Sequence, residues 1–153
     1  DKLYILKSMT KFYSSAGIRV GTIVSTQQNI EKLKEFEPMW KLSQFDSNYL
    51  QAALDDKLFK NLSKELNVKN KVELENILKE SDLIEEIFES SANYLLVKLS
   101  ILNAKEFQEL LKPYKIMLRD CSNFDYLNER FVRIAVKSSS ANEIFKKALK
   151  EIC

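Results

Sequence analysis

A lysine flanked by hydroxyl side chains and followed by an arginine is the group of residues best suited to chemistry in this chain. Lys11 comes after Ser8 and Thr10, and Arg19 lies further along the same segment. A lysine in a partly buried pocket can supply the neutral amine that forms a Schiff base with a carbonyl compound. The two hydroxyls and the arginine suit a phosphate dianion, because arginine forms charge-assisted hydrogen bonds with phosphate. From the spacing alone, a solvated loop lysine remains the alternative.

Two strand-like runs must position this lysine. Leu3–Leu6 and Ile18–Val24 are short and rich in apolar or β-branched residues, which is typical of strands. A hairpin-like reversal between them could bring the lysine and the arginine to one ligand. Gly17 and Gly21 lie near this reversal, and glycine allows a close approach of the backbone.

Helical patterns dominate the middle of the chain. A helix is predicted after Thr26 and is expected to stop at Pro38. From Gln44 to about Ser81 the sequence predicts helices with hardly a break, and Asn70–Glu73 could begin a fresh helix within this stretch.

The last third alternates strands and helices. Two helices are predicted there, each beginning at a capping pair: Asn103 with Glu106, and Ser140 with Glu143. The predicted strands are Leu83–Phe88, Tyr94–Leu99, Tyr114–Arg119 and Phe131–Val136. This alternation predicts a mixed sheet covered by helices, an α/β or α+β layer domain.

Composition supports a helix-rich globular fold and excludes several classes of function. Hydrophobic residues make up 45% of the 153 residues, and only two Gly and two Pro are present, which argues against an all-β fold. Because 24 basic residues nearly balance 22 acidic ones, we expect solvated charged faces and no nucleic-acid partner. No apolar run approaches the length of a membrane span, so we expect a cytoplasmic protein without a membrane partner.

Histidine is absent from the sequence. Its absence excludes Ser-His and Cys-His nucleophiles and the common zinc sites, so no metal is expected. Catalysis would have to use lysine, carboxylates, tyrosine, cysteine or a cofactor. Cys121 and Cys153 form no disulfide framework, and free thiols are the simpler interpretation.

The lysine segment resembles the cofactor-lysine segment of class I and II aminotransferases. The matching stretch runs from Ser8 through Lys11-Phe12-Tyr13 and continues with Gly17-Ile18-Arg19-Val20-Gly21. Within this family it is most similar to histidinol-phosphate aminotransferase and to threonine-phosphate decarboxylase. Further matches keep the family's order along the chain: Pro38-x-Trp40, Ser91–Val97, Leu118–Phe124 and Leu127–Val136.

The resemblance implies a fold type I enzyme that uses pyridoxal 5'-phosphate (PLP) and works as a homodimer in amino acid biosynthesis. Residues 1–38 would be the C-terminal tail of the large PLP-binding domain, and residues 39–153 the small C-terminal domain. Lys11 would hold PLP as a Schiff base and then move the proton on the substrate's α-carbon. The cofactor phosphate would be bound by Ser8, Thr10 and Arg19.

The resemblance also assigns Arg133 to the substrate's carboxylate or phosphate, with a structural ion pair as the alternative. Arg119 and Asn93 lie in matching segments, where packing is as good an explanation as ligand contact. The implied reaction transfers an amino group between an amino acid, or an amino-phosphate compound, and a 2-oxo acid. Two alternatives remain: a threonine-phosphate decarboxylase, and a non-catalytic interaction module derived from this fold.

The family's N-terminal part has no counterpart in these 153 residues. It supplies the aspartate that pairs with the pyridine nitrogen of PLP and keeps the ring an effective electron sink. We therefore expect the chain by itself to be inactive. We also expect Leu3–Leu6 and Ile18–Val24, which lack neighbouring strands, to be disordered or to pair between chains.

Overall fold

The structure is a computed structural model, and it describes residues 2–152. It divides into two compact units, Asp1–Lys60 and Asn61–Cys153. The predicted free thiol of Cys153 lies outside the described residues. The predicted domain boundary at residues 38 and 39 refers to the parent enzyme and stays a prediction.

The first unit contains a two-stranded antiparallel sheet. Strand β1 (Ile5–Ser8) pairs with β2 (Gly21–Val24), with Ser8 opposite Gly21. The expectation that these strands lack a partner is therefore wrong, because they pair with each other. The predicted strand Ile18–Val24 begins only at Gly21, since a 3₁₀ turn over Ala16–Ile18 is followed by a left-handed residue.

Side-chain caps mark where the first helices begin. Helix α1 (Gln27–Lys34) starts after Thr26, whose side-chain oxygen accepts a hydrogen bond from the Asn29 N–H at 3.3 Å. Helix α2 (Gln44–Asp55) starts at a capping box that was not predicted. Such caps satisfy amide groups that have no partner inside the helix.

The long helical stretch is not interrupted at Asn70, where the start of a second helix was one of two possibilities. Helix α3 (Lys57–Lys79) runs without interruption through Asn70. The break falls instead at Asp56, whose carboxylate accepts a hydrogen bond from the Phe59 N–H at 2.8 Å. Leu74 and Leu78 are buried near the end of α3, so packing favours a continuous helix there.

The second unit is built on a four-stranded antiparallel sheet. Its spatial order is β3, β4, β6, β5. The four strands are β3 (Ile84–Ile87), β4 (Tyr94–Leu99), β5 (Arg119–Asp120) and β6 (Phe131–Ala135). Helices α4 (Ala104–Leu111) and α5 (Ser139–Ile152) complete the unit. Helices and sheet are thus combined as predicted, and the predicted fold class is confirmed.

One face of this sheet forms the core and the other is open. Alternate residues of β4 and β6 are buried, including Leu95, Val97 and Val132. They pack with helix residues in one cluster, whose fully buried members include Leu78, Phe107 and Leu111. Because side chains alternate along a strand, the remaining residues of β4 and β6 face away from this core.

Two local predictions in this unit are wrong. The strand predicted over Tyr114–Arg119 begins only at Arg119, because the Gln108 side chain bonds to the Ile116 carbonyl and the Leu118 N–H, each at 2.7 Å, in place of a strand partner. The last helix begins at Ser139, and Ser138, not Ser140, accepts a hydrogen bond from the Ala141 N–H at 3.4 Å.

Candidate functional site

The loop between β1 and β2 forms a cleft of about 430 Å³. Its lining includes all four residues that the sequence assigns to the cofactor: Ser8, Thr10, Lys11 and Arg19. The antiparallel pairing of the two strands returns the chain to its starting edge, so both ends of the loop meet there. The predicted reversal between the two strands is therefore present.

The two hydroxyl groups lie side by side. Ser8 Oγ and Thr10 Oγ1 are 2.9 Å apart, and Thr10 is buried. In such a pair one hydroxyl donates to the other, and the second keeps its own O–H free. One hydroxyl donor thus remains available to an acceptor in the cleft.

Arg19 adopts an uncommon backbone conformation. Its φ of 57° and ψ of 34° are left-handed, which is rare for a residue with a long side chain. One guanidinium nitrogen donates to the Ala16 carbonyl at 3.0 Å. Because a guanidinium carries five N–H donors, most of them stay free for a ligand.

The glycine at the end of the loop is required by a close contact. A Cβ atom at position 21 would lie 3.0 Å from the Lys7 carbonyl oxygen across the hairpin. At Gly17, in contrast, a Cβ would meet nothing within 4 Å. The expected close approach of the backbone is therefore confirmed at Gly21 and wrong at Gly17.

Lys11 is exposed, which corrects the expectation of a partly buried amine. The loop turns Thr10 and Ser15 inward, with 5% and 9% of their surfaces exposed. The Ser15 N–H donates to the Thr10 carbonyl at 3.0 Å and closes this turn. The hairpin therefore buries Thr10 and Ser15 while leaving Lys11 exposed.

A second group of candidate residues lies on the open face of the four-stranded sheet. Arg133 in β6 is exposed, and its guanidinium carbon lies 4.6 Å from the ring centre of Tyr94. Arg119 in β5 donates to the Asn123 side-chain oxygen at 3.1 Å and lies 5.5 Å from the Phe124 ring centre. Within residues 2–152, neither arginine forms a salt bridge.

A buried thiol lies between these arginines in the chain. Cys121 is 2% exposed and free of a disulfide within the described part. Burial raises the pKa of the Cys121 thiol, while the charges of Arg133 and Arg119 act in the opposite direction. The neutral thiol is thus favoured, so Cys121 is suited to packing and poorly suited to nucleophilic chemistry.

Residues 2–152 lack two other features that would point to a function. Acidic and cysteine side chains form no group of three or more that could hold a metal ion there. No helix in the same range combines the length and apolar character that crossing a bilayer requires.

The sequence profile of the family "Aminotransferase class I and II" matches residues 1–152. This chain belongs to that family. The histidinol-phosphate aminotransferase of Methanocaldococcus jannaschii is 33% identical over 152 residues, which cover 99% of this chain and 40% of that protein. The chain thus spans about two fifths of the length of this relative.

Solved structures of the family share its fold. The histidinol-phosphate aminotransferase of Clostridium acetobutylicum superposes with a TM-score of 0.89 at 28% identity, over 98% of this chain and 45% of that one. The L-threonine-O-3-phosphate decarboxylase of Porphyromonas gingivalis gives 0.83 at 25% identity, over 98% and 46%. The predicted fold type I architecture and the resemblance to these two kinds of enzyme are confirmed.

Proposed function

We propose that this chain carries the cofactor lysine and the phosphate-binding residues of a PLP-dependent aminotransferase. The observation that carries the proposal is that Lys11 and Arg19 line one cleft together with Ser8 and Thr10. Aminotransferases of class I and II, the family to which the chain belongs, depend on PLP. The known family and the local geometry thus support the same site.

The donor set of the cleft fits PLP. A free hydroxyl of the Ser8 and Thr10 pair and the guanidinium of Arg19 would bind the phosphate. The accessible amine of Lys11 would attach the aldehyde covalently, and it would later hold and move the proton at the substrate's α-carbon. PLP, when bound, supplies an electron sink for the bonds at that carbon.

Arg133 is the proposed binding group for the anionic end of the substrate. Its guanidinium is exposed and has no carboxylate partner among the described residues, so its charge remains available. Arg119 lies opposite it across β5 and β6 and would add a second cation. Two guanidinium groups suit a phosphate or a carboxylate, because each can form paired hydrogen bonds with it.

The reaction proposed for the parent enzyme is transfer of an amino group between an amino acid, or an amino-phosphate compound, and a 2-oxo acid. The second candidate is decarboxylation of threonine phosphate, favoured by the likeness to the P. gingivalis decarboxylase. Turnover that depends on a 2-oxo acid, measured beside carbon dioxide release, separates the two in a protein that contains this chain.

Several further features belong to the same proposal. The enzyme would be a cytoplasmic homodimer, with residues 1–38 in the large domain and 39–153 in the small domain. Because the chain spans about two fifths of a relative's length, we propose that the 153 residues alone do not turn over substrate. A non-catalytic interaction module would instead lack any specific attachment of PLP.

Borohydride reduction of the PLP-loaded protein followed by peptide mapping tests the proposal. We expect a label on the peptide that contains Lys11 and its loss in Lys11→Ala. Lys7 lines the same cleft, so Lys7→Arg is the matched control and should keep the label. A label that stays in Lys11→Ala, or that maps to Lys7, would show that the site is assigned to the wrong lysine.

A further inference from the structure

We propose that Tyr94 is a positioning residue for Arg133: its ring holds the guanidinium in place on the open face of the sheet for an anionic substrate group. The inference rests on the proposed role of Arg133 in anion binding. It gives a functional role to Tyr94, which would otherwise be regarded as an ordinary surface tyrosine.

The strand register brings the two residues together. In the antiparallel pair of β4 and β6, Tyr94 is opposite Ala135 and Arg133 is opposite Leu96. Tyr94 and Arg133 are therefore diagonal neighbours on the same face, within reach of long and aromatic side chains. The distance of 4.6 Å between the guanidinium carbon and the ring centre lies within the range of cation–π attraction.

The surroundings of Arg133 make such a support necessary. Arg119 is its direct partner across β5 and β6, and like charges in such pairs repel each other. Arg119 is itself held by the Asn123 side chain and lies over the Phe124 ring. All of these side-chain contacts are neutral, so they orient both arginines without cancelling their charge.

Other cations in or next to the same sheet form salt bridges. Lys98 and Arg130 both pair with Glu85, and Arg130 also donates to the Leu99 carbonyl at 2.9 Å. Their charges are thus compensated within the fold. An aromatic partner, in contrast, fixes the plane of a guanidinium and leaves its N–H edge free for a ligand. Such preorganisation lowers the entropy lost on binding.

Titration of the 153-residue chain with inorganic phosphate, followed by NMR of the arginine side chains, tests the inference. We expect Tyr94→Leu to weaken phosphate binding about two- to fivefold, the range that an exposed cation–π contact supports. Tyr94→Phe should bind as wild type does, since the ring is kept. Tyr126 is fully exposed, so Tyr126→Leu is the matched control and should also bind unchanged.

Each other outcome overturns the inference. Unchanged binding in Tyr94→Leu would mean that the ring does not position Arg133. Equal losses in Tyr94→Phe and Tyr94→Leu would mean that the hydroxyl contacts the anion directly. If Tyr94→Leu proves unfolded by circular dichroism, Tyr94→Trp replaces it. An indole ring should bind phosphate at least as tightly as wild type, and weaker binding there would contradict the inference.

Different experimental results would contradict the proposed function. If wild type shows no phosphate shift at Arg133, the anion-binding role of that arginine is wrong. Borohydride labelling away from Lys11 would refute the cofactor site while leaving the phosphate titration unaffected. The two results are therefore distinguishable.

Discussion

Arg119 and Arg133 are Cα partners across the antiparallel pair of β5 and β6, and both are exposed. Two cations thus occupy directly opposed positions on one face, where a fold optimised for stability alone would place opposite charges. The repulsion is relieved when an anion binds between them. This arrangement supports an anion-binding function for the open face of the sheet.

Phosphate is therefore expected to stabilise the chain against urea. A ligand that binds only the folded state adds RT ln(1 + [L]/Kd), about 1.4 kcal/mol at ten times Kd. Urea unfolding with phosphate, compared with chloride at matched ionic strength, measures this increment. Arg133→Gln should reduce it most and Arg119→Gln less, and any increment left in Arg133→Gln would belong to the cleft of Arg19. An increment of equal size in Arg133→Gln would place the phosphate elsewhere.

Substitutions of Gly17 and Gly21 should have opposite effects on the stability of the hairpin. Gly21→Ala would press a Cβ against the Lys7 carbonyl oxygen at 3.0 Å, so the hairpin should lose about 0.5–3 kcal/mol. Gly17→Ala meets open space at an ordinary φ and should gain about 0.4–1 kcal/mol, because alanine restricts the unfolded chain. Amide hydrogen exchange of β1 and β2 measures both, and faster exchange in Gly17→Ala would contradict this account.

Protonation of Glu85 in acid should lower the stability of the fold. The hydrogen bond from Lys98 lowers the pKa of Glu85 below its ordinary value of 4.5, burial opposes this, and the charges of Arg130 and Lys98 add to the lowering. A carboxyl whose pKa is lower in the folded state stabilises the fold above its unfolded pKa. That contribution is lost as pH falls through the folded pKa.

Thermal unfolding of wild type and Glu85→Gln between pH 6 and pH 3 checks this expectation. The variant should melt lower than wild type near pH 6, and the difference should shrink below about pH 4.5. A constant difference across that range would show that ionisation of Glu85 does not contribute. Within residues 2–152 Glu86 forms no salt bridge with these cations, so Glu86→Gln serves as the control.

Cys121 should react slowly with thiol reagents in the folded chain. Burial raises the pKa of its thiol, so little thiolate forms near neutral pH, and the residue is 2% exposed. Ellman's reagent, applied to Cys153→Ser so that one thiol is counted, measures the rate. Unfolding in guanidinium chloride should make the thiol fully reactive. Fast modification without denaturant would contradict its burial.

Local signals predicted several elements correctly. The capping pair of Asn103 and Glu106 marks the start of α4, where both reciprocal hydrogen bonds form. The strand Tyr94–Leu99 is found with the predicted bounds. Both depend on residues that are neighbours in the chain, so the pattern of residue types is sufficient to predict them.

Prediction from the sequence was wrong or left open where groups outside the segment determine its backbone conformation. The Gln108 side chain, eight residues before Ile116, takes hydrogen bonds that a strand would have used. Continuation of α3 past Asn70 goes with burial of Leu74 and Leu78 in the core of the second unit. Neither effect has a signature in the local sequence.

The sequence by itself determined the family, because several of its motifs follow one another in order along the chain, and it led to the proposal that Ser8, Thr10, Lys11 and Arg19 bind the cofactor. The tertiary structure alone decided which residues share a face. The opposition of Arg119 and Arg133 and the stacking of Arg133 on Tyr94 depend on strand register. A shift by one residue would turn every side chain to the other face, and pairing with distant strands sets that register.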